Sequence, residues 1–137
     1  MKSLLAFTTS IILLSCSTIS ENDVHRDSMG GQTYYIHKVQ YDTIWQAAIS
    51  ATAVRERLVT EKEQGVIKIS INDSDKQRVL AIYIEPTLAT AEKYTLVIKS
   101  RGNFDNDLRN GDSTQQVANA IYQQLKATSP DLLFYSL

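Results

Sequence analysis

Val66-Ile67-Lys68-Ile69-Ser70-Ile71 puts Ile67, Ile69 and Ile71 on one face and Lys68 and Ser70 on the other. That is the period-two pattern of a half-buried strand. It recurs twice downstream. Arg78 to Glu85 sets Leu80, Ile82 and Ile84 opposite Val79, Ala81 and Tyr83, and Lys93 to Ser100 sets Tyr94, Leu96 and Ile98 against Thr95, Val97 and Lys99. Between the first two runs, Asn72-Asp73-Ser74-Asp75 is turn chemistry, and Pro86 stops the second. Each run has one strongly apolar face and one mixed face, which predicts an antiparallel meander covered on a single side.

The cover is helical. Upstream, Ile44, Ala47, Ala48, Ala51, Val54 and Leu58 recur at helical spacing, flanked by Trp45 and Ile49. Asp42 is the expected N-cap, Arg55, Arg57, Glu61 and Lys62 mark an exposed end, and Gly65 punctuates the exit. Downstream, Ser113-Thr114-Gln115-Gln116 reads as a capping box. The helix it opens runs to about Ala127, with Val117, Ile121 and Leu125 as its inner stripe beside Ala118 and Tyr122, and Pro130 past its end. Thr33 to Val39 is rich in β-formers and reads as a first strand, expected at a sheet edge, with its neighbour left open because the helical crossover allows either outer strand of the meander. The order β-α-β-β-β-α predicts an α+β fold: a two-layer domain over residues 33–137, mainly antiparallel, with both helices on one sheet face. The apolar tail Leu132-Leu133-Phe134-Tyr135-Ser136-Leu137 is expected to dock on the domain, or else to bind a partner.

The polar loop from Gly102 to Asp112 invites a calcium reading. An EF-hand loop needs glycine at its sixth position and glutamate at its twelfth. Counted from Asn103, these positions hold Leu108 and Thr114, so the template fails and no metal site is expected.

At the other end, Met1-Lys2-Ser3 is basic and Leu4 to Leu14 is mostly apolar. This describes a secretory signal, too short for a transmembrane helix of roughly 20 residues. Leu13-Leu14-Ser15-Cys16 looks like the lipobox of a bacterial lipoprotein, which would make residues 1–15 a signal peptide and Cys16 an acylated N-terminus. Ordinary cleavage after Ser17 is the alternative. Cys16 is the sole cysteine, so an exported chain has nothing to pair it with, and acylation accounts for it. The lipoprotein resemblance implies three acyl chains there, and Ser17 in place of aspartate favours the outer membrane. Residues 16–32 show no hydrophobic period and read as a flexible tether, in which His25 is solvated.

The chain also resembles a family of small bacterial lipoproteins of unknown function that includes a virulence-associated lipoprotein of Francisella. The features carrying the resemblance are the lipobox, Tyr41-Asp42-Thr43-Ile44-Trp45-Gln46-Ala47, Gly65-Val66-Ile67, and Gly102-Asn103-Phe104-Asp105 leading to Asp112-Ser113. It implies an envelope role and no catalytic residues.

The residues themselves point the same way. A formal net charge of −1 lacks the basic field of a nucleic-acid binder. No phosphate-binding or dinucleotide glycine pattern occurs, and neither His25 nor His37 belongs to a catalytic constellation, so no enzyme and no cofactor are expected. The favoured reading is an envelope lipoprotein acting by contact with an envelope or host protein. Its candidate partner surface is the outer sheet face at Val79, Ala81, Tyr83 and Val97. The alternative is a carrier or sensor of a small apolar ligand, held between helices and sheet in a pocket lined by Trp45 and Tyr94.

Overall fold

The computed structural model describes residues 24–26, 31–73, 76–86, 93–102 and 108–137. The signal peptide and Cys16, the turn residues Ser74 and Asp75, and loop residues 103–107 lie outside them. The elements in chain order are β1 (Gln32–His37), α1 (Tyr41–Ala51), β2 (Glu56–Glu61), β3 (Val66–Asp73), β4 (Lys76–Pro86), β5 (Lys93–Gly102), α2 (Leu108–Thr128) and β6 (Leu133–Ser136). The strands form one antiparallel sheet in the order β2-β3-β4-β5-β1-β6. Both helices pack on one of its faces, so the fold is α+β with two layers.

The meander follows the expected alternation. Ile67 pairs with Ile82 and Ile82 with Ile98, so the inward residues of three strands form continuous rows. Ile67, Ile69, Leu80, Ile82, Leu96 and Ile98 are fully buried beneath Ile44 of α1 and Ile121 and Leu125 of α2. Ala47, Ala48 and Ala118 lie buried in the same cluster, where small side chains let the helix backbones approach their neighbours closely.

Four local expectations are corrected. First, α1 ends at Ala51, well before Leu58. Thr52 folds its hydroxyl back onto the Ala48 carbonyl at 2.8 Å, and Arg57 reaches the Ile49 carbonyl at 3.2 Å. Glu56–Glu61 then forms β2, pairing with β3 across a bulge between Arg57 and Val59, and Val54 is 90% exposed. Gly65 belongs to the β2–β3 turn. There φ is +71°, and an added Cβ would collide with the Ile84 carbonyl, so only glycine fits against β4.

Second, Asp42 is not the N-cap. Gln40 holds that position and its carbonyl accepts from the Thr43 and Ile44 N–H groups, while Asp42 pairs with Lys62 Nζ at 3.0 Å. Third, β1 is not an edge strand. It lies between β5 and β6 and is antiparallel to both, because the apolar tail docks as a strand: Ile36 faces Phe134 in register. Fourth, α2 begins at Leu108, so Ser113 is an interior residue. Its buried hydroxyl accepts a hydrogen bond from Arg78 Nη1 at 2.8 Å and ties the helix to β4.

Candidate functional site

The sheet face away from the helices separates into two halves. The first half contains the expected partner surface, and it is not open. Val79, Ala81, Tyr83 and Val97 are all buried, in one cluster with Val24 and with Leu58 and Val66 at its margin. Val24 is 1% exposed, although it lies in the stretch expected to be a loose tether. Its carbonyl accepts from Lys68 Nζ at 2.9 Å and from the Tyr83 hydroxyl at 3.4 Å. Two residues on, Arg26 meets Glu85 with Nε to Oε1 at 2.5 Å and Nη2 to Oε2 at 3.2 Å. One apolar plug, two donors onto one carbonyl and a forked ion pair fix residues 24–26 across β3 and β4. The forked geometry adds direction, while its half-exposed setting keeps the energy small.

At Gly31 the chain passes against β5. Its φ is +92°, and a Cβ there would lie 2.6 Å from the Ile98 carbonyl oxygen, so the passage requires glycine. Burial raises the Tyr83 pKa above its ordinary value, and the Arg26 charge opposes that rise.

The second half of the face, over β1 and β6, is open and aromatic. Tyr35 stacks on Tyr135 with centroids 5.5 Å apart, and the His37 ring lies 5.6 Å from Tyr135 with Nε2 3.3 Å from its hydroxyl oxygen. Leu133 and Tyr135 are 47% and 41% exposed, and Leu137 is almost fully so. Sequence reasoning missed this cluster, since its contacts depend on β6 adding to β1. The available signal was an apolar tail able to alternate, with Leu133 and Tyr135 on one side and Phe134 on the other.

Trp45 and Tyr94, the expected pocket residues, are core and core margin. Trp45 is 4% exposed, and Tyr41 bridges the two, with its ring 6.4 Å from Trp45 and 5.8 Å from Tyr94. Two shallow clefts lie elsewhere. One, of about 360 Å³, runs between the helices past Thr43, Gln46, Ala47, Ser50, Gln124 and Thr128. The other, of about 380 Å³, borders the docked segment at His25, Arg26, Lys68 and Tyr83. Neither is lined by Trp45 or Tyr94. Among the described residues no three of His, Cys, Asp and Glu converge as metal ligands. Neither described helix is long and apolar enough to cross a membrane. No protein-family model matches the chain, and no curated protein matches it.

Proposed function

We propose that the protein is a bacterial envelope lipoprotein, acylated at Cys16, whose folded domain is held near the membrane and acts by contact with another envelope protein rather than by catalysis. The observation that carries this reading is the docking of Val24 on the sheet. Seven residues, 17–23, separate Cys16 from it. Fully extended, that stretch spans about 25 Å. As a free coil it covers about 16 Å. An acylated Cys16 therefore keeps the outer sheet face toward the bilayer and leaves the helix layer on the far side. The cleft between α1 and α2, polar at Gln46, Ser50 and Gln124, is the surface offered to the partner.

Metabolic labelling with an alkyne fatty acid tests the anchor. The expected result is label on wild type and on the membrane fraction, and neither for Cys16→Ala. A photoreactive residue at Gln46 or Gln124 then captures the same protein from either side of the cleft in wild type, and loses it in Cys16→Ala. An unlabelled wild type, or label that survives Cys16→Ala, overturns the reading.

A further inference from the structure

We infer that the open half of the outer sheet face, over β1 and β6 with Lys93 of β5 at its margin, rests on the anionic phospholipid surface of the membrane that carries the anchor. The inference rests on acylation of Cys16 and adds to it a second, non-covalent contact.

Charge is distributed unevenly across the sheet. Strands β2, β3 and β4 carry Glu56, Glu61, Asp73 and Glu85 alongside Arg57, Lys68, Lys76 and Arg78. Strands β5, β1 and β6 carry no carboxylate side chain at all, while β5 alone contributes Lys93, Lys99 and Arg101. Register places all three on the outer face, where Lys99 is buried, 8% exposed, against the chain at Gly31. Arg101 pairs with Val79 and Lys99 with Ala81, both outward residues, and Lys93 pairs with His37. Lys93 and Arg101 are exposed.

Beside Lys93 stand Tyr35, which pairs with Thr95, and Tyr135, amphipathic rings of the kind that settle at a headgroup boundary. Leu133 is half exposed next to them and Leu137 fully so, ready for insertion below that boundary. Cations at a rim, tyrosines inside it and exposed leucines together match an anionic lipid surface better than they match a protein interface, where lysine is depleted.

The tether makes the placement reachable. Val24 sits on β3 and β4, and β6 lies three to four strand spacings away on the same face, about 14–19 Å. A bilayer touching the β1–β6 patch thus passes within the extended reach of residues 17–23, about 25 Å. The patch and Val24, the first described residue after the anchor, lie on one face of the sheet. Repeated encounter is therefore intramolecular, and a surface too weak to bind membranes alone is held there at high effective concentration.

The experiment uses the full chain in cells, with a photoreactive phenylalanine replacing Tyr135 or, as the far-side control, Gln46. Cells receive radioactive phosphate, which enters phospholipid headgroups and not the thioether-linked anchor, and in parallel an alkyne fatty acid, which reports the anchor. The expected result is phosphate label on the chain crosslinked at position 135, and little at position 46. Lys93→Glu combined with Arg101→Glu then lowers the label at position 135 by about fivefold or more, since one basic side chain near an anionic surface is worth about that factor. Fatty-acid label with no phosphate label at 135, and a captured protein or second copy instead, overturns the lipid contact while leaving the anchor intact. Loss of the fatty-acid label itself removes the anchor reading and this inference together.

Discussion

The outer sheet face alternates alike along β4 and β6, yet its two halves end in different states. Over β3 and β4, Tyr83 is 6% exposed beneath the docked Val24. Over β6, Tyr135 is 41% exposed and touches only rings of its own sheet among the contacts described, those of Tyr35 and His37. Both are tyrosines on strands, facing the same way. What separates them, among the described residues, is the segment 24–26, which crosses one and not the other. Burial on this face is therefore set by an element outside the sheet, so the same residue type is structural at one position and available for contact at the other.

The contrast is broken or kept most decisively by truncating the two rings. Tyr83→Ala removes a buried aromatic and leaves a cavity, for an expected loss of about 3–4 kcal/mol, whereas Tyr135→Ala costs less than about 1 kcal/mol. Urea unfolding followed by circular dichroism checks the pair, through midpoints at unchanged slope. Equal losses would show that the docked segment contributes no cover.

A smaller effect isolates the segment. Val24→Ala deletes two methyl groups from a site that is 1% exposed, and about 2 kcal/mol of stability should go with them. Leu133→Ala on the open half should stay within about 0.5 kcal/mol. In the Val24 variant the amides of β3 and β4 should also exchange faster in deuterated water, while those of β1 and β6 stay as they were. Uniform acceleration across all six strands would mean that the halves are one cooperative unit.

The inner face of this sheet was legible in the sequence because period-two alternation and helical spacing carry it without reference to anything distant. Ile67, Leu80, Leu96 and Ile121 fall where their patterns put them. The second strand was not legible. Its apolar content is the adjacent pair Leu58-Val59, and the bulge between Arg57 and Val59 breaks the alternation. Val54 and Leu58 also extend the period of α1 by chance, and the stop comes from Thr52 and Arg57 bonding back to the helix's last carbonyls, chemistry that spacing does not register. The position of β1 depended on β6, a tail whose pairing is long-range. The candidate surface failed for a related reason. Val79, Ala81, Tyr83 and Val97 were correctly assigned to the outer face, but Val24 is a lone apolar residue in a polar stretch and has no period to reveal that it docks.

The hydroxyl of Tyr83 offers the finest test of the covered half. At neutral pH its bond to the Val24 carbonyl is long, and that carbonyl keeps Lys68 as a closer donor, so Tyr83→Phe should cost no more than about 0.5–1 kcal/mol. Above about pH 10 the balance changes. Burial raises the Tyr83 pKa in the folded chain, so the folded state holds the phenolic proton after the unfolded state has released it. The unfolded state then binds fewer protons, and stability falls as pH rises from the ordinary tyrosine value through the raised one. Phenylalanine has no proton to lose. The variant should begin slightly less stable than wild type, decline less steeply in alkali and close the gap, with the remaining slope supplied by Tyr34 and Tyr41, which burial also raises. Parallel curves from pH 8 to 11 would mean that Tyr83 meets solvent in the folded chain. The covered half would then be open like its neighbour, and the contrast between the two would be lost.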